Sequence, residues 1–215
     1  MRATKDPPIY VGMLPFDPDL GLRLPRSYEG MGYDERGGFP YRLNAMGFRG
    51  PELPAEGQPR AAGRTRILFV GDSFLNASAV REDELIQTVC ARTLNERGIP
   101  AEAFTVCCSD YGTAQELLLL ERHGESVRPD VVVLEAYPAN DVANNSLELA
   151  GKVETSAGDY IRPYFVPDGE GFERTWAQPV RAFFRRHLRS FALLDRALIT
   201  RAKEDERFAW YAPGP

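Results

Sequence analysis

The chain has 215 residues, room for one domain plus arms, or for part of a larger protein, at about 150 residues per domain. Hydrophobic residues make up 43% and charged residues 27%, as in a soluble globule, and a chain this long buries roughly 70% of its unfolded surface without a metal or disulfide staple. Lys and Arg number 26 against 31 Asp and Glu, and the net charge of −5 argues against a nucleic-acid or anionic-membrane partner.

No apolar run approaches the ~18 residues of a transmembrane helix. The opening MRATKDPPIY has no apolar core behind its charges, so it does not read as a secretory leader. Residues 1–63 are rich in Pro and Gly, with DPPIY, PFDPDLG, LPRS, ERGGFP and FRGPELPAEGQP as punctuation. Tyr10, Phe16, Tyr28, Tyr33, Phe39, Tyr41 and Phe48 are scattered through them, whereas disordered segments are poor in aromatics. The stretch reads as an extended N-terminal arm with short β pieces, packed on or leading into a domain at 64–215 whose core is 64–150.

Arg66-Ile67-Leu68-Phe69-Val70 is a short apolar run ending at Gly71, the pattern of a buried strand. Leu85, Ile86, Val89, Cys90 and Leu94 recur at helical spacing, and Gly98 and Pro100 stop that helix. Phe104-Thr105-Val106-Cys107-Cys108 predicts a second strand, and Ala114, Leu117, Leu118 and Leu120 mark a helix from Thr113 to near Glu125. Val131-Val132-Val133-Leu134 predicts a third strand, running on toward Ala136. Strand–helix–strand–helix–strand with apolar strands predicts an α/β fold: a parallel sheet covered on both faces, with right-handed crossovers. Residues 151–170 read as a loop or hairpin excursion. From Pro179 to Lys203, Val180, Phe183, Phe184, Leu188, Phe191, Leu194 and Leu198 form an apolar stripe with arginines interleaved, which predicts a core-facing or partner-facing helix in preference to a membrane-surface one.

Three cysteines, Cys90, Cys107 and Cys108, make a poor disulfide framework and read as buried thiols. Neither histidine, His123 nor His187, has a second Cys or His at ligand spacing, so no metal or cofactor is expected. Both read as solvated surface residues, His123 on a helix flank between Arg122 and Gly124, His187 among arginines.

Ligands of open parallel sheets bind beyond the carboxyl ends of the strands. Three polar clusters reach that edge here: Gly71-Asp72-Ser73-Phe74, Asp110-Tyr111-Gly112, and Pro138-Ala139-Asn140-Asp141. A serine on a tight strand-to-helix turn exposes its hydroxyl and its N–H, and a following helix N-terminus favours developing negative charge. Gly112 has no side chain to keep a substrate from its N–H. With the Asn140 carboxamide, the Ser73 and Gly112 amides would form a three-donor oxyanion hole, in which losing one donor typically costs about a hundredfold in rate. Asp72 is expected to support the turn or cap the helix, with Asp141 supporting the third cluster.

These blocks resemble the SGNH (GDSL-type) hydrolases. Val70-Gly71-Asp72-Ser73-Phe74 is similar to their first block, Tyr111-Gly112-Thr113-Ala114-Gln115-Glu116 to their glycine block, and Ala139-Asn140-Asp141 to their asparagine block, with Pro138 where a glycine is usual. Asn44-Ala45-Met46-Gly47-Phe48-Arg49-Gly50 also resembles a stretch that precedes the core in some bacterial members. The resemblance spans residues 40–150. It implies a three-layer α/β/α, flavodoxin-like sheet and ester hydrolysis, with Ser73 as nucleophile and Gly112 and Asn140 as oxyanion donors.

The family's base, a His three residues after an Asp, has no counterpart: Leu120 precedes His123 and Phe184 precedes His187. Only three of the usual five strands are found, so the domain is expected to be incomplete at its C-terminus. Without a His, Ser73 stays a weak nucleophile, and the chain alone is expected to be a poor esterase. The implied function is an ester hydrolase or acyltransferase for small acyl esters, acetyl esters of carbohydrates among them. The competing reading is a non-catalytic binding or assembly module on the same fold. A nucleotide binder is set aside, because residues 71–76 carry neither Gly-x-Gly-x-x-Gly nor a Lys-bearing phosphate loop. The missing leader favours the cytoplasm, while related bacterial proteins are often exported. The oligomeric state is left open.

Overall fold

The structure, a computed structural model, describes residues 14–146 apart from 57 and 60, together with 149, 162–167, 172–176, 188 and 190. It is a mixed α/β protein built on a three-stranded parallel sheet flanked by helices. The arm contributes two antiparallel pairs, β1 (Phe16–Asp17) with β2 (Gly21–Leu22), and β3 (Glu29–Asp34) with β4 (Gly37–Arg42). The sheet follows: β5 (Thr65–Gly71), β6 (Ala101–Cys107) and β7 (Val131–Leu134), in the order β6-β5-β7. Leu68 stands level with Phe104 on one side and Val132 on the other. Between the strands run α1 (Ser73–Asn76), α2 (Ile86–Glu96) and α3 (Thr113–Val127), and α4 (Pro138–Asn145) follows β7. A separate antiparallel pair is formed by β8 (Pro163–Pro167), within the excursion expected at 151–170, and β9 (Phe172–Trp176), beyond it. The helix expected at 179–203 lies outside the described residues, save 188 and 190.

The central strand reads as a continuous apolar run because both of its faces are buried. Leu68 and Val70, with Phe104 and Val106, pack against Leu119 and Val127 of α3. Ile67 and Phe69, with Ala103 and Cys107, pack against Cys90, Ala91 and Leu94 of α2. The arm belongs to the first of these cores: Leu14, Leu20, Leu22, Leu24, Tyr41, Leu43 and Phe48 join it. Among the described residues, no helix is long and apolar enough to cross a membrane.

One expectation is corrected, and the structure settles the inward faces of two helices. Strand β7 is not covered on both faces: Val131, Val132 and Leu134 are 46%, 43% and 54% exposed, since β7 ends the sheet and no described strand pairs with its outer edge. On α3 the inward face is Gln115, Glu116, Leu119, His123 and Val127, while Leu117 is 53% exposed. The helix is rotated so that polar groups meet the arm, with Gln115 Nε2 donating to the Leu20 carbonyl at 2.7 Å. At α2 the apolar spacing starts one residue early: Leu85 is buried as the residue before the helix, and Ile86 faces outward.

Candidate active site

The turn after β5 is made by Asp72, which is fully buried. Its Oδ1 accepts from the Phe74 N–H at 2.9 Å, capping α1. A carboxylate spent on that cap holds the turn and is not free to react. Gly71 is required, because a Cβ there would come within 2.8 Å of Glu135 Oε2 and 2.9 Å of Leu75. Ser73 is therefore the first residue of α1; its side chain is exposed and makes no hydrogen bond among the described residues.

The second cluster ends in Gly112, the residue that opens α3, and it is buried. Its N–H points at Gln115 Oε1 over a long 3.4 Å. The third cluster opens α4, with Pro138 in its first turn and Asp141 Oδ2 accepting from the Tyr137 N–H at 2.7 Å. Asn140 lies in that same first turn. The role expected of its carboxamide falls outside what the structure describes.

The three clusters meet at the carboxyl edge of the sheet. Asn144 Nδ2 donates to the carbonyls of Asp110 and Tyr111 at 3.2 and 3.3 Å, and Asn145 Oδ1 accepts from the Ala114 N–H at 3.0 Å. The rings of Phe74 and Tyr137 lie 4.8 Å apart, and Asn76 Nδ2 donates to Ser109 Oγ at 3.2 Å. Helix α4 sits directly over Gly112, where a Cβ would approach Asn145 Oδ1 to 2.7 Å and Asn144 Cβ to 2.9 Å. Gly112→Ala is therefore expected to destabilise the protein by about 1–3 kcal/mol through overpacking. A melting temperature equal to that of the parent protein would show that α4 is not held there.

Beneath this rim lie four carboxyl groups: Asp72, Glu116, Glu135 and Asp141. Glu116 is 1% exposed, and among the described residues neither carboxyl oxygen has a hydrogen-bond partner; Asp141 Oδ1 is likewise buried without one. Burial pushes the Glu116 carboxyl up to about 8, assisted by the charges of Asp141, Asp72 and Glu135. Burial and the neighbouring Asp72 push Glu135 up to about 7, and burial also raises Asp141. At neutral pH Glu116 thus keeps its proton. Glu135 was detectable in the sequence, as the polar residue directly after Val-Val-Val-Leu at a strand's carboxyl end. Glu116 carries no such signal, because its isolation depends on what packs over α3.

His123 does not lie on the surface. It is buried under the arm, its ring 5.3 Å from that of Phe48 in an edge-on contact. Burial, together with the charges of Arg122 and Arg26, lowers its imidazole to about 4. It borders a cavity of about 40 Å³ with Asp17, Arg23 and Met46, and none of Ser73, Gly112 and Asn140 lines that cavity. His187 lies outside the described residues. Cys107 and Cys108 are buried free thiols whose pKa burial raises, so neither is a ready nucleophile, and Cys90 is half-buried. Among the described residues, no three His, Cys, Asp or Glu side chains are grouped to hold a metal ion.

Compared with known proteins, the chain matches no family model and no curated protein.

Proposed function

We propose that this chain is an SGNH-type ester hydrolase in which Ser73 attacks the carbonyl carbon of a small acyl ester, an acetylated carbohydrate among the candidates. One observation carries the proposal. An exposed serine with an uncommitted hydroxyl follows the central strand, and the glycine and asparagine blocks follow the strands on either side, tied to each other and to the Ser73 turn by hydrogen bonds and ring contact. The finer architecture, a three-layer flavodoxin-like sheet, belongs to the same proposal. It is supported by the central position of β5 and by α2 and α3 packing on its opposite faces.

In the proposed step the Ser73 hydroxyl loses its proton to a base as Oγ bonds to the carbonyl carbon. The carbonyl oxygen gathers negative charge, which the Ser73 and Gly112 N–H groups and the Asn140 carboxamide would stabilise. The Gly112 N–H has only the long contact to Gln115 to give up. Collapse of the adduct expels the alcohol and leaves an acyl-serine for water to cleave. His123 is remote from this rim and is not the base.

Incubation with a fluorophosphonate followed by peptide mass mapping tests the proposal. The expected result is slow modification confined to Ser73 and absent in Ser73→Ala. An unmodified Ser73 under conditions that label a control serine hydrolase would favour a non-catalytic binding or assembly module, for which the buried Asp72, Glu116 and Asp141 and the lack of a nearby imidazole among the described residues speak.

A further inference from the structure

Helix α1 is a single turn of four residues, and it ends at Ala77 in the left-handed region with φ of +44°. One helical turn has little stability of its own, and a non-glycine residue at positive φ needs outside support. The support comes from the arm, some 25 residues earlier in the chain. Asn44 organises a tight turn there: its Oδ1 accepts from the N–H groups of Met46 and Phe48 at 3.0 and 2.9 Å, and its Nδ2 donates to the Pro51 carbonyl at 2.8 Å. Gly47 adopts φ of +97°, in a place where a Cβ would come within 2.9 Å of the Leu24 carbonyl oxygen.

That turn sets Phe48 in the core and sends Arg49 under the segment following Ser73. Arg49 is 1% exposed, and no carboxylate among the described residues pairs with it. Its Nη1 donates to the carbonyls of Ala77 at 2.7 Å, Val80 at 3.0 Å and Asn76 at 3.4 Å. The guanidinium lies 4.7 Å above the Tyr41 ring, and the Tyr41 hydroxyl donates to Asn76 Oδ1 at 2.6 Å. A buried cation is costly unless its donors are satisfied. Here three backbone carbonyls on Nη1 and the aromatic face take the place of a counter-ion, while Nη2 is buried with no hydrogen-bond partner among the described residues. All three carbonyls belong to the stretch that closes the Ser73 turn.

We propose that Arg49 is a positioning residue for Ser73: by gathering the carbonyls of Asn76, Ala77 and Val80 it fixes the one-turn helix that aims the hydroxyl at the rim. This rests on Ser73 being the nucleophile, as proposed above. The planar guanidinium holds Nη1 at the three carbonyls while lying over the Tyr41 ring, whereas a lysine ammonium on its flexible stem loses that stacking.

Arg49→Lys retains the charge, and Arg49→Met retains much of the volume should loss of donors, more than loss of charge, unfold the protein. Two measurements are made on each folded variant: hydrogen exchange of amides 74–80 against those of β5 and β6, and the rate of Ser73 modification by a fluorophosphonate with kcat and KM for an aryl acetate. The expected result is faster exchange confined to 74–80, with Ser73 modification and kcat both lowered about 10- to 100-fold at little change in KM, as small misplacement of a reacting group produces. Millimolar guanidinium is expected to restore part of the rate to Arg49→Ala and none to Ser73→Ala. Unchanged Ser73 reactivity in a variant whose 74–80 amides exchange faster would make Arg49 a strut only and overturn the proposal, as would unchanged exchange. If the parent protein is not modified at Ser73 at all, the esterase reading falls, while exchange at 74–80 still decides whether Arg49 holds the turn.

Discussion

Imidazole added to the protein is expected to raise Ser73-dependent hydrolysis of an aryl acetate by about 10- to 100-fold, a part of the 10²–10⁴ that a positioned general base supplies. The cause is the pairing of an exposed serine with no imidazole at the rim among the described residues. The Ser73 hydroxyl is accessible and has no partner among the described residues, while His123 is buried under the arm and stays neutral down to about pH 4. A small diffusible base with a pKa near neutrality can reach the hydroxyl and accept its proton in the attacking step. Imidazole also cleaves aryl esters unaided, so the quantity to follow is the difference between the protein and Ser73→Ala across an imidazole series. The two lines are expected to diverge with concentration. Superimposable lines would show that the hydroxyl, accessible as it is, does not react.

The second large effect concerns pH and stability. Glu116 ionises near its ordinary value of 4.5 in the unfolded chain but near 8 when folded, because it is buried without partners beside Asp141, Asp72 and Glu135. The folded state therefore holds a proton that the unfolded state has lost. Its contribution is complete below pH 4.5, declines as pH rises, and is gone above about 8. Glu135 acts in the same sense up to about pH 7. His123 acts oppositely: its folded value near 4, against an ordinary 6.5, makes stability rise with pH between those limits. Below pH 6.5 the opposing slopes partly cancel, and above it only the carboxyl groups count. Stability is thus expected to fall between pH 6.5 and 8.

Glu116→Gln keeps the shape of the neutral acid and cannot ionise. It is expected to flatten this fall and to stabilise the protein at pH 8.5 by on the order of 2 kcal/mol, discounted for solvent around the cluster. For a chain of this size that is about 4–8 °C in melting temperature. At pH 4 the two proteins should melt together. An equal pH dependence in both would show that Glu116 does not hold its proton at neutrality.

Much of the core was legible in advance because of what parallel strands require. Ile67 to Val70 are apolar without alternation, Phe104 to Cys107 nearly so, and the polar clusters directly after these strands and after Val131 to Leu134 had to reach one edge of the sheet; the same pattern in Val131 to Leu134 did not mean burial, because β7 is an edge strand. The cap formed by Asp72 is similarly local, since it spans two residues. His123 was misjudged, and the outward turn of Leu117 was not foreseen, for one reason. Helical spacing tells which residues share a face, but the face that turns inward is chosen by the partner, and here the partner is an arm about a hundred residues earlier in the chain.

The sequence by itself therefore determined the short-range features: the three strands, the start of α3, and the order in which serine, glycine and asparagine arrive at the rim. These follow from backbone periodicity and from turn chemistry within a few residues. Only the tertiary structure decided that His123 is walled off, that Glu116 is left with a proton it would shed in water, and that Arg49 grips the carbonyls behind Ser73. Each of those outcomes depends on burial and on contacts between segments far apart in the chain, and desolvation is a property of the packed molecule.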